Sequence, residues 1–213
     1  SVGLFGNVAV TLSAFIGAIS VLLFIVFLAR KVKGNATLLI MGIMLGQTAS
    51  AIVSMLKFYS LEEDVHAYVI WGFGSFSKIS TSHMMPFASI IILAIFSSFF
   101  LIKKLNLLML GENYAMNLGL NIKRARLYII ISAGILTATV TAYCGPIVFI
   151  GLAVPHIARF IFMVSDHRVL LPATALLGSF VALFCSLIAR MPGFDGALPL
   201  NSVTSLVGVP VVV

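Results

Sequence analysis

Stretches of about twenty apolar residues recur along the whole chain, each long enough to cross a bilayer. They run from about Val8 to Ala29, Ala36 to Phe58, Met84 to Ile102, Leu127 to Cys144, Ile147 to Val164 and Val169 to Ala189, and a seventh starts near Asn201 and reaches Val213. Backbone N–H and C=O groups go unpaired in lipid unless the segment is a helix or a closed barrel, so windows of this length read as helices. The composition agrees: 9% of the residues are charged, against roughly 25% in a soluble domain, and mean hydropathy is +1.18. The chain reads as an all-α polytopic membrane protein that has lipid as a partner along its length. One secretory signal peptide does not account for windows that recur from end to end.

The formal charge of +7 raises the question of nucleic acid, and the placement of the charges answers it. Seven windows alternate in direction. Arg30, Lys31, Lys33, Lys103, Lys104, Lys123, Arg124, Arg126, Arg159 and Arg168 then share one side, ten of the thirteen basic residues. Lys57, Lys78 and Arg190 fall on the other side, with Glu62, Glu63, Asp64 and Asp195, whereas Glu112 and Asp166 join the basic side. Excess lysine and arginine marks the cytoplasmic face. The charge is topological, and no nucleic-acid partner is implied.

Several stretches carry more than length. In the second window Gly42, Gly46, Ser50 and Ser54 place a small residue at every fourth position, with Gln47 beside them. Such a seam lets helices approach closely in lipid. It suits plain packing, a pore lining or a subunit interface. Between the third and fourth windows, LGENYAMNLGLNIKRAR (110–126) is too polar to span and predicts two short helices broken at Gly119. Gly111 leads into the first of these, and Glu112 sits where a helix dipole favours a negative group. Met116, Leu118 and Leu120 would be exposed there unless the segment folds back or a soluble partner covers them.

The stretch GPIVFIGLAVPHIARFI (145–161) holds two prolines, a histidine and an arginine in an otherwise apolar run. Pro146 predicts the first turn of a new helix, Pro155 predicts a bend or break, and Gly151 predicts close packing. His156 and Arg159 are three apart and share a face. Cys144 and Cys185 have no CxxC or Cys/His cluster near them and read as small packing residues.

No phosphate-binding loop, HExxH, paired intramembrane carboxylates or nucleophile motif occurs, so neither an enzymatic activity nor a cofactor is implied. An ion-coupled secondary transporter is the alternative, and it wants an ionisable group at mid-bilayer. No window has an acid at its centre.

GPIVFIGLAVPHIARFI, followed by SDHRVLLPATALLGS and ALPLNSVTSLVGVP, resembles the membrane permeases of bacterial ABC importers for iron-siderophores, haem and cobalamin. LNLLMLGENYAMNLGL is similar to that family's cytoplasmic coupling loop, here residues 105–126, and IWGFGSF to its extracellular stretch after the fifth helix. The resemblance implies a ten-helix bundle of the type II importer kind. The chain would then be a piece of it, about helices four to ten with both ends truncated, as the absent initiator methionine and the uncapped VVV also suggest. Short outer helices are implied around Ala67 to Ser77 and Asp195 to Ser202.

The same resemblance implies an ATPase dimer as partner, contacted through Gly111, Glu112, Ala115 and Gly119. It further implies an extracytoplasmic substrate-binding protein docked at Arg190, a second permease copy or paralogue, and location in the plasma (inner) membrane. A translocation pathway would be lined by Gly42, Gly46, Gln47, Ser50 and Ser54 with Ser202, Ser205 and Gly208. Two departures stand out. Cys185 replaces an aspartate common in the family's ninth helix, and Asn201 replaces the usual glycine after the ALP motif.

Overall fold

A computed structural model describes residues 2–31, 35–76, 79, 81–190 and 198–212. Among the described residues there are ten helices and no strand. Each of the seven apolar windows is a helix: α1 (Val2–Lys31), α2 (Asn35–Tyr59), α4 (Thr81–Phe99), α7 (Ile122–Cys144), α8 (Phe149–Phe162), α9 (His167–Ala189) and α10 (Leu200–Val212). Shorter helices lie between them: α3 (Glu62–Gly72), α5 (Ile102–Met109) and α6 (Glu112–Asn117). The third window breaks after Phe99, and the chain turns by 49° into α5.

The helices pack as two groups. α7 lies against α1 and α4, while α8, α9 and α10 pack on one another. Small residues make the contacts, as expected where lipid gives helices no hydrophobic reason to associate. Ala125, Ala138, Ala142, Ala153, Ala158 and Ala173 are all buried, and Gly134 of α7 receives Leu22 of α1. A hydroxyl pair, Ser98 and Ser132 at 2.9 Å, bridges α4 and α7. Cys144 and Cys185 are buried free thiols, in keeping with packing roles. A cavity of about 270 Å³ remains between the groups, lined by Leu136, Thr137 and Val140 on one side and Ile150 and Ala182 on the other.

At one end the groups are sewn together by the segment after α3. Ser75 N–H donates to Cys144 O (2.8 Å) and Asn201 N–H donates to Phe73 O (3.0 Å), while Leu198 N–H donates to Ala189 O (2.9 Å) within the second group. Gly145 makes this possible. It adopts φ 81°, and a methyl group there would sit 2.5 Å from Trp71 O.

Several local expectations change. Pro146 is not in a first helical turn: 145–148 is non-helical and α8 opens at Phe149, because Gly145 has already turned the chain for the bond from Ser75. Pro155 does not break α8, which is continuous from Phe149 to Phe162. A missing helical N–H is tolerated in membrane helices where local adjustment re-satisfies the backbone. Gly151 is exposed, with open space where a side chain would be, and close packing on α8 falls instead to Gly208 of α10. The first outer helix begins earlier than expected, at Glu62. Of the second, 195–197 lie outside the described residues, and Leu200 to Ser202 are the first turn of α10 itself. Lys33 and Lys78 also lie outside the described residues.

Candidate coupling site

The basic end of the bundle is where the sequence concentrates its unexplained polarity, and the structure builds a compact element there. α5 carries Lys103 and Lys104 out of the third span, and Lys104 Nζ lies 4.3 Å from the centroid of the Tyr128 ring on α7. Leu110 and Gly111 then reverse the chain. Gly111, at φ 97° and ψ 151°, occupies a region that side chains avoid, and it opens α6.

α6 is short and held at both ends. At its start Glu112 Oε1 accepts from Arg126 Nη2 of α7 at 2.7 Å, and this pair borders a 220 Å³ cavity that Leu38 of α2 also lines. At its finish Leu120 N–H donates to Ala115 O and Gly119 N–H donates to Met116 O, both at 2.9 Å, with Gly119 at φ 84°. That pair of bonds is the Schellman closure, which needs a left-handed residue at the Gly119 position. Asn121 then caps α7 directly, its side chain accepting from Arg124 N–H. The second short helix expected after Gly119 is therefore the first turn of α7.

The faces of α6 divide cleanly. Ala115 is fully buried, the small residue on which the helix rests. Tyr114 (68% exposed), Met116 (52%) and Leu118 (59%) point away from the chain. Met116 and Leu118 are the exposures expected from the sequence; Leu120 is half-buried.

A second junction at this end escapes sequence reading. Asn106 of α5 donates through Nδ2 to Asp166 Oδ1 (2.6 Å), and its Oδ1 accepts from His167 N–H (2.9 Å) and faces His167 Nδ1 (2.7 Å). Asp166 also accepts from Arg168 N–H and so caps α9. That backbone bond, then the Asn106 amide, hold its carboxyl below the usual carboxylate range. The available signals are an aspartate before an apolar helix, which suits an N-cap, and one asparagine within the apolar run LNLLML.

The remaining candidates lie elsewhere. Arg190 ends α9 at the opposite end, beside Ser75, Phe76 and Leu198 around a small recess. Gln47, Ser50 and Ser54 are exposed on α2, and nothing lies within 4 Å of where side chains on Gly42 and Gly46 would project. α2 touches α1 lightly and keeps none of the residues of its span buried. On α10, Ser202 is exposed and Ser205 Oγ donates to Asn201 O (2.6 Å), whereas Gly208 is buried against Phe149 Cβ of α8. The α2 stripe and the α10 residues thus sit in separate parts of this chain. Asn201 Oδ1 is buried without a hydrogen-bond partner among the described residues.

Membrane-length helices with a short capped helix raised at the basic end define a multi-pass membrane protein. The chain belongs to the FecCD transport family, whose model matches residues 2–213. It is 34% identical over 198 residues to the hemin transport system permease protein HmuU of Yersinia pestis, covering 92% of this chain and 59% of that one. It is 34% identical over 208 residues to the vitamin B12 import system permease protein BtuC of Vibrio cholerae, covering 96% of this chain and 61% of that one. The fold is similar to a solved inward-facing metal-chelate type ABC transporter, with a TM-score of 0.79 and 32% identity, covering 94% of this chain and 69% of that one. The chain spans less than two thirds of the length of these curated relatives. Its place is the plasma (inner) membrane, as a multi-pass protein.

Proposed function

We propose that the chain is part of a permease subunit that passes a bulky chelate of the siderophore, haem or cobalamin type into the cytoplasm, driven by ATP hydrolysed on a separate ATPase dimer. The observation that carries this reading is α6. Its apolar side chains Tyr114, Met116 and Leu118 are uncovered, while Glu112 and the Gly119 closure fix it to the bundle. Exposed apolar groups on a rigid, capped element suit docking, because little ordering entropy is lost on contact.

In this reading Gly111, Glu112 and Gly119 shape and fix the coupling helix, and Ala115 supports it from within. Arg190 meets an acidic group of the extracytoplasmic binding protein. α2 and the outer part of α10 face the pathway, and a second permease copy or paralogue supplies its other wall. Small side chains without metal ligands suit a route that releases its cargo.

Copurification tests the reading. The full-length permease in detergent retains the ATPase encoded beside it, and deletion of residues 111–119 abolishes retention while the protein still inserts. A wild-type permease that binds no ATPase refutes the reading.

A further inference from the structure

At the basic end α5 packs against the α8–α10 group, and Asn106 supplies side-chain hydrogen bonds to that contact. Asn106 uses its whole amide there: Nδ2 donates to Asp166, and Oδ1 takes two contacts from His167. The amide can face only one way, since a flip would set its N–H groups against His167 N–H and its carbonyl against a carboxylate. Asp166 and His167 are the cap and first residue of α9, which packs with α8 and α10. Asn106 is on α5, five residues before Gly111 opens α6. α6 itself is tied to α7 of the other group by Glu112 and Arg126.

We propose that Asn106, Asp166 and His167 form a latch that carries displacement of the coupling helix into the α8–α10 group. This rests on the docking role given to α6 above. Asn106 is a positioning residue in this scheme: it touches neither ATPase nor cargo. A push on α6 has two rigid exits. One is the ion pair into α7. The other is α5 and this amide into α9, from which α10 carries Ser202 at the far end.

The hydrogen-bond roles give a test that mere loss of stability cannot imitate. Asn106→Asp sets two carboxylates at hydrogen-bond distance and opens the latch. Asp166→Asn alone preserves it, because an asparagine Oδ1 accepts from both Arg168 N–H and Asn106 Nδ2 and still caps a helix well. Combining the two does not restore it: Asp166 Oδ1 takes both Asn106 Nδ2 and Arg168 N–H, and an amide nitrogen set in its place to meet a carboxylate at position 106 would face Arg168 N–H.

Hydrogen exchange on the full-length permease in detergent reads the joint itself. N106D raises exchange in 102–109 and in the first turn of α9 by on the order of tenfold, D166N leaves it within about twofold, and the double variant stays as open as N106D. Transmission is read separately in the permease–ATPase complex carrying Ser202→Cys, by maleimide labelling before and after trapping with ATP and vanadate. The labelling rate changes about fivefold or more on trapping, D166N retains that change, and N106D loses it while keeping its ATPase. Unaltered exchange in N106D, or exchange in D166N raised as far as in N106D, overturns the latch. If the ATPase binds wild type and trapping alters Ser202→Cys labelling equally in N106D, the latch fails and the docking reading stands. If wild type binds no ATPase, both fail.

Discussion

At Gly145 a single missing methyl group decides whether the outer seam closes. Its φ of 81° is one that side chains rarely adopt, and an added Cβ would meet Trp71 O at 2.5 Å and Gly74 Cα at 3.2 Å, both backbone atoms of a segment that is itself hydrogen-bonded to Cys144 and Asn201. Neither neighbour can swing aside as the end of a flexible side chain would. Gly145→Ala therefore costs about 2–4 kcal/mol by combining backbone strain with overpacking. Thermal unfolding of the full-length protein in detergent shows the loss as a lowered midpoint. Gly42→Ala is the control, since open space surrounds Gly42 and alanine is the better helix residue there. That variant holds or slightly raises the midpoint, so the two glycines, alike in sequence, separate by their surroundings.

Among elements, α6 is the most legible in the sequence and α5 the least, for a physical reason. Glycines at 111 and 119 announce backbone conformations that other residues resist, so a short helix between them can be read locally. The 49° turn between α4 and α5 has no proline or glycine at Phe100 and Leu101 to mark it, and Leu105 to Leu110 prolong the apolar run. Asn106 meets Asp166 sixty residues away, and a pairing so distant leaves no local pattern. In the GPIVF stretch Pro146 suits a helix start, but the bond from Ser75 to Cys144, invisible locally, decides otherwise. The α6 closure yields a sharp expectation. Gly119→Asn keeps the ATPase, because asparagine accepts the left-handed conformation. Gly119→Val, at about 1–2 kcal/mol of backbone cost before any lost contact, splays the C-terminus of α6 and weakens copurification.

For the molecule as a whole, the two ends differ in chemistry as well as position. The described basic residues assigned to one side lie at the ends of α1 and α8, on α5 and at the starts of α7 and α9, while α3 brings Glu62, Glu63 and Asp64 to the other end. There Lys57 lies over the Tyr68 ring, 4.3 Å from its centroid, which gives an isolated cation on that side a partner. A bundle with such asymmetry inserts with its lysine- and arginine-rich end in the cytoplasm. Cysteines placed at Ser60 and Asn113, both exposed, report this directly. The native Cys144 and Cys185 are at most 1% exposed and add little background. In intact cells a membrane-impermeant maleimide labels Ser60→Cys and spares Asn113→Cys, and the pattern reverses in inverted vesicles. α6 must face the cytoplasm for a soluble ATPase to reach it, so labelling of Asn113→Cys from outside would remove the docking role of α6 and the latch that depends on it.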